Sequence, residues 1–171
     1  MKPAIWHKLD LWARWLTPFG LTVILLIVGV VPLHIPGLGV VVPWLPLMAV
    51  YHWAIYRPEL LPAYAVFIIG VLEDILTGLP IGVNAVVFLL VYGGVLSQRR
   101  FFVGKSFYIL WLGFALVAGA AAAANWVLVS LWNVTMLMPH ALFFQFLTTV
   151  GLYPILAWVL MRWQHTFLRE E

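Results

Sequence analysis

Val71–Gly82 reads V-L-E-D-I-L-T-G-L-P-I-G. An apolar run that starts at Leu60 closes on two adjacent carboxylates, Glu73 and Asp74, and then on Thr77, Gly78, Pro80 and Gly82. A second apolar run begins at Val83. Glycine just past a periodic segment, with proline shortly after it, is how helices stop. The stretch therefore predicts two apolar helices joined by a tight turn, with an acidic pair in the last turn of the first.

The rest of the chain explains why the acids matter. Of 171 residues, 65% are hydrophobic and 9% charged, where a soluble domain carries roughly 25% charged residues. Such a chain cannot cover a water-facing surface and reads as all-α integral membrane protein. No hydrophilic stretch approaches the roughly 50 residues that an ordinary domain needs, so residues 1–171 read as one membrane domain. The absence of cysteine excludes disulfides, thiolate metal sites and cysteine nucleophiles. The net charge of +3 comes from basic residues scattered between apolar runs, which speaks for membrane topology and against nucleic acid.

Six hydrophobic segments and no strands are expected, at about 17–33, 38–56, 60–76, 83–96, 107–132 and 139–163. Thr17 is placed as the cap of the first and Pro18 at its first helical position. Pro43 and Pro46 make the second irregular. Segments three and four are short for the roughly 17–25 residues that a spanning helix needs, so they either cross a thin region or form a re-entrant pair. Residues 1–16 read as an interfacial helix, with Ile5, Leu9, Trp12, Ala13 and Leu16 on one side and His7, Asp10 and Arg14 on the other. With the N-terminus inside, the inner regions hold Lys2, Lys8, Arg14, Arg57, Arg99, Arg100, Lys105, Arg162 and Arg169, which are all the Lys and Arg of the chain. The outer loops hold none, as the positive-inside rule requires. Both termini are then cytoplasmic.

Successive helix positions are about 100° apart, so Glu73 and Asp74 cannot share one partner. Asp74 falls on a stripe with Gly70 and Gly78, where small residues let another helix approach. Asp74 is expected on that packed face. Glu73 is expected at the lipid–water boundary, where its loss would be tolerated as at a surface position. Asp74 has two uses. It can accept hydrogen bonds from the backbone of the turn or of the next helix, whose dipole favours an anion, or it can meet a ligand, a proton or a partner. His34, His52 and His140 lie in or near the membrane without metal-ligand spacing and read as helix-end side chains. Two of them, His34 and His140, fall near the outer face with the acids, leaving a surface cation site as the alternative. The A-G-A-A-A-A-A-N run, Ala118–Asn125, marks a groove for a close neighbouring helix. Serine occurs at 97, 106 and 130, and no nucleophile–base pair is visible. No catalytic residue, cofactor site or metal site is expected.

Arg57-Pro58, then G-x-x-x-D at Gly70–Asp74, then G-x-P-x-G-x-N at Gly78–Asn84 resembles the MreD family, the small membrane subunits of the bacterial rod-shape system. Arg57, Pro58, Gly70, Asp74, Gly78, Pro80, Gly82 and Asn84 carry the likeness as a structural or partner motif. Glu73 stands outside that pattern. The resemblance implies a non-enzymatic scaffold in the bacterial inner membrane. It would bind an MreC-like bitopic protein and act beside MreB filaments, the glycosyltransferase RodA and its penicillin-binding transpeptidase in peptidoglycan synthesis. It also implies a fold similar to the substrate-binding S-components of energy-coupling-factor transporters. Hence the alternative function, a subunit that binds a vitamin or lipid head group.

Overall fold

The computed structural model describes residues 4–31, 33–35, 39–134 and 139–167. Among these, seven helices and one short hairpin follow each other as α1 (Ala4–Val30), β1 (Leu33–Ile35), β2 (Gly39–Val41), α2 (Leu45–Tyr56), α3 (Ala63–Thr77), α4 (Val83–Ser97), α5 (Arg99–Phe102), α6 (Phe107–Asn133) and α7 (His140–Phe167). α6 and α7 are each long and apolar enough to cross a membrane, while α4 and the apolar half of α1 are shorter. Leu116 and Leu131 on α6 are among the most exposed side chains, as befits faces turned to lipid.

α2 is the hub. Every residue from Pro46 to Ile55 is buried, because L-P-L-M-A-V-Y-H-W-A-I-Y has no polar face to show water. α1, α4, α6 and α7 pack around it. Tyr51 donates a hydrogen bond from its hydroxyl to the carbonyl of Leu110 at 2.9 Å and meets Phe114 and Tyr153 edge-on. The stacked pair Phe114–Tyr153, 4.2 Å between centroids, joins α6 to α7 at the same level. At the C-terminus of α2, Arg99 Nε donates to the carbonyl of Ile55 at 2.7 Å, a side-chain cap on a helix end with carbonyls to satisfy.

Three expectations are corrected. The second segment does not run as a helix from residue 38. Residues 33–35 and 39–41 pair antiparallel, with Leu33 opposite Val41 and Ile35 opposite Gly39. Ile35, Val40 and Val41 are β-branched, glycine and proline punctuate the stretch, and Pro43 forbids helix before it. α2 is thus reduced to 12 residues, and the chain is not strand-free. Nor does a separate arm precede the first segment, since α1 is continuous through Pro18. Thr17 is an interior residue, its hydroxyl donating to the carbonyl of Ala13 at 2.6 Å, and Thr22 does the same to Pro18 at 2.7 Å. The apolar and polar faces expected for residues 5–14 lie largely outside the described side chains. Finally, His52 sits inside α2, fully buried against the rings of Trp53 and Tyr56, and not at a helix end.

Candidate functional site

The motif residues divide between two ends of α3. Its 15 residues separate them by roughly 22 Å at 1.5 Å per residue. Arg57 ends α2, its side chain 3.8 Å from the carboxylate of Glu59, and the carbonyl of Pro58 accepts from the Tyr92 hydroxyl at 3.2 Å. The remaining motif residues gather around the α3–α4 turn.

That turn is built from glycines and one carboxylate. Gly78 ends α3 in the left-handed region at φ 71. The N–H groups of Gly78 and Leu79 both reach the carbonyl of Asp74, which closes the helix end. Pro80 follows where no helix could continue, and its carbonyl accepts from the N–H of Val83. Gly82 opens α4 at φ 108, a value that side-chain-bearing residues rarely adopt. Glycine has no side-chain oxygen with which to cap α4, so Asp74 supplies one from α3. Its Oδ2 accepts from the N–H of Gly82 at 2.8 Å and its Oδ1 from the N–H of Asn84 at 2.9 Å. A carboxylate on the first N–H groups of a helix is the favoured arrangement. Asp74 is fully buried there.

Two further contacts lock this end. A Cβ on Gly70 would lie 2.4 Å from the Cα of Ala85, so only glycine permits the observed approach of α3 to α4. The side chain of Asn84 accepts from Asn125 Nδ2 at 2.9 Å, tying α4 to α6. Asn125 ends the small-residue run, which lies between neighbours of this chain. Ala120, Ala121 and Ala124 line a cavity of about 250 Å³ together with Val87, Val91 and Gly94 of α4, and Gly119, Ala122 and Ala123 one of about 320 Å³ together with Phe143 and Phe146 of α7.

Glu73 is not at the lipid–water boundary. It is 7% exposed. α3 packs against α4 on one side and α1 on another, so its buried stripe is two residues wide: Ala65 and Val66, Ile69 and Gly70, Glu73 and Asp74. The repeat of adjacent buried pairs is visible in V-F-I-I-G-V-L-E-D once a helix is allowed two neighbours. The indole of Trp44 stands beside the carboxyl group of Glu73, and Glu73 Oε2 has no partner. Trp44 itself is held by its backbone N–H, which donates to Thr149 Oγ1 at 2.9 Å. Among the described residues no three His, Asp or Glu side chains cluster as a metal site. His140 is exposed, and the side chain of His34 lies outside the described residues.

The family model for the rod shape-determining protein MreD matches residues 10–170. The chain belongs to the MreD family. Membership makes it a membrane protein of rod-shape determination. No curated protein and no solved structure matches the chain. The corner formed by Gly70, Asp74, Gly78, Gly82 and Asn84 is therefore a helix–turn–helix lock inside an MreD chain.

Proposed function

We propose that this MreD protein is a non-enzymatic, multi-pass scaffold of the bacterial cytoplasmic membrane. It presents a fixed α3–α4 surface to an MreC-like bitopic partner in the cell-wall elongation machinery, alongside MreB filaments, RodA and its penicillin-binding transpeptidase. One observation carries the reading. Both carboxylate oxygens of Asp74 are taken up by backbone N–H groups of the turn and of α4, so the motif's acid is engaged in holding shape. A catalytic or proton-carrying acid needs a lone pair within reach of its substrate. Family membership supports the rod-shape role. The partition of all nine Lys and Arg residues to one side of the apolar segments supports cytoplasmic termini and the basic Ser97–Lys105 loop on the inner face. The α3–α4 turn then lies at the outer face.

The test is affinity purification from membranes in mild detergent, followed by mass spectrometry. A single-span MreC-like protein should co-purify in defined stoichiometry, without an ATPase module. Stable pairing with a transporter ATPase, or product release from a lipid-linked peptidoglycan precursor that a point mutation abolishes, would overturn the reading.

A further inference from the structure

Beside the lock, a cavity of about 360 Å³ opens between the α3–α4 turn and the start of α7, walled by Trp44, Glu73, Asn84, Asn125, Trp126 and Gln145. A second cavity of about 310 Å³ lies toward Leu26 and Gly29 of α1, and Glu73, Thr77 and Gln145 line both. Glu73 thus stands in the wall that the two spaces share. The lock already uses both oxygens of Asp74, and Asn125 is bonded to Asn84. Glu73 Oε2, on a side chain more than nine-tenths buried, is left without a partner. Among the described residues, neither cavity is lined by Lys, Arg or His.

We propose that this cavity is a binding site for a primary ammonium group, with Glu73 as its counter-ion. A buried carboxylate is costly unless a charge or donor meets it. The walls provide acceptors and two indoles, and indole faces attract cations. A phosphate or carboxylate would instead face the carboxylate of Glu73 in the wall. A neutral hydroxyl would leave Glu73 either uncompensated or protonated, where an ammonium group favours its ionised form. The exposed residues Thr77 and Ala141 stand at the rim, so a group can enter from the side of the turn. Two sources bear this chemistry: the head group of an ethanolamine phospholipid, or a free amine in solution. The proposal goes beyond the scaffold reading and does not depend on it.

Native mass spectrometry of the intact protein in mild detergent tests it, with four probes. These are dioleoyl phosphatidylethanolamine, its N-acetylated form, dioleoyl phosphatidylglycerol and free ethanolamine. The ethanolamine lipid should be retained one-to-one, at least about tenfold more than the N-acetylated lipid and the phosphatidylglycerol. Retention should fall about tenfold in Glu73→Gln, and likewise in Ala141→Trp, which crowds the rim from an exposed position and carries the test if Glu73→Gln does not accumulate. Binding of free ethanolamine with the same dependence on Glu73, in place of the lipid, also supports the site and assigns a soluble source. Equal retention of the ethanolamine lipid and its N-acetylated form, undiminished retention in both variants, or binding of none of the probes would overturn it.

Discussion

Asp74 and Glu73 are neighbours with opposite assignments. Asp74 caps a helix that starts on glycine, and its removal strands the N–H groups of Gly82 and Asn84 in a buried site. An unpaired buried donor costs about 1–3 kcal/mol, and no bulk water replaces the bond. Asp74→Ala should therefore lower the melting temperature in detergent and the membrane abundance. Asp74→Asn retains one acceptor oxygen and should lose clearly less. Equal loss in the two variants would mean that the charge, and not the acceptor, matters. Glu73 is expected to behave the other way. Its glutamine variant keeps the side chain's size and replaces a buried carboxyl group whose Oε2 has no protein partner, so in lipid-free and amine-free detergent Glu73→Gln should melt at the same temperature as the wild type or higher. A marked drop would show that the carboxylate serves the fold. The tolerance expected for Glu73 from sequence rested on solvation at the membrane surface, and its burial withdraws that reason.

At the level of elements, the α3–α4 pair depends on one missing side chain. Gly70→Val would drive a methyl-bearing Cβ into the backbone of Ala85, forcing the helices apart and weakening the bonds made by Asp74. Gly93 on α4 has open space where a Cβ would stand, with nothing within 4 Å, so Gly93→Ala should be neutral or stabilise by up to about 1 kcal/mol through helix propensity. Thermal unfolding of the two variants should separate them widely. Similar melting of both would contradict the close-packed pair. This pair was also the most legible part of the sequence, because the Gly70–Asp74–Gly78 stripe and the Gly/Pro turn state the same geometry twice. The strand pair 33–35 and 39–41 was not. Its apolar residues match the hydropathy of a membrane segment, and periodicity cannot distinguish a short apolar strand from helix. The continuity of α1 was hidden similarly, since Thr17-Pro18 is a good helix start that also occurs inside membrane helices. The Asn84–Asn125 and Arg99–Ile55 bonds join residues 41 and 44 positions apart, and no local pattern announces such pairs.

For the whole molecule, the charge partition predicts orientation. Reporter fusions at Gln98 and Glu171 should read cytoplasmic, and one within 134–137 should read external. A cytoplasmic signal from the last would overturn the proposed topology, and with it the placement of the α3–α4 turn at the outer face. Among the described residues, α6 and α7 are the two helices long and apolar enough to cross a membrane. α1 and α4 find their place by packing on α2, and α3 by packing on α4 and α1; the burial of α2 on all sides makes it the axis of the bundle. The scaffold reading asks that this bundle hold one surface still for a partner, and Asp74 is the residue on which that stillness depends. The most direct measurement is capture of the MreC-like partner from membranes by wild type, Asp74→Asn and Asp74→Ala, compared at matched membrane abundance. The account predicts capture in the order wild type, Asp74→Asn, Asp74→Ala, with rod shape lost in step. Full capture by Asp74→Ala at normal abundance would contradict it.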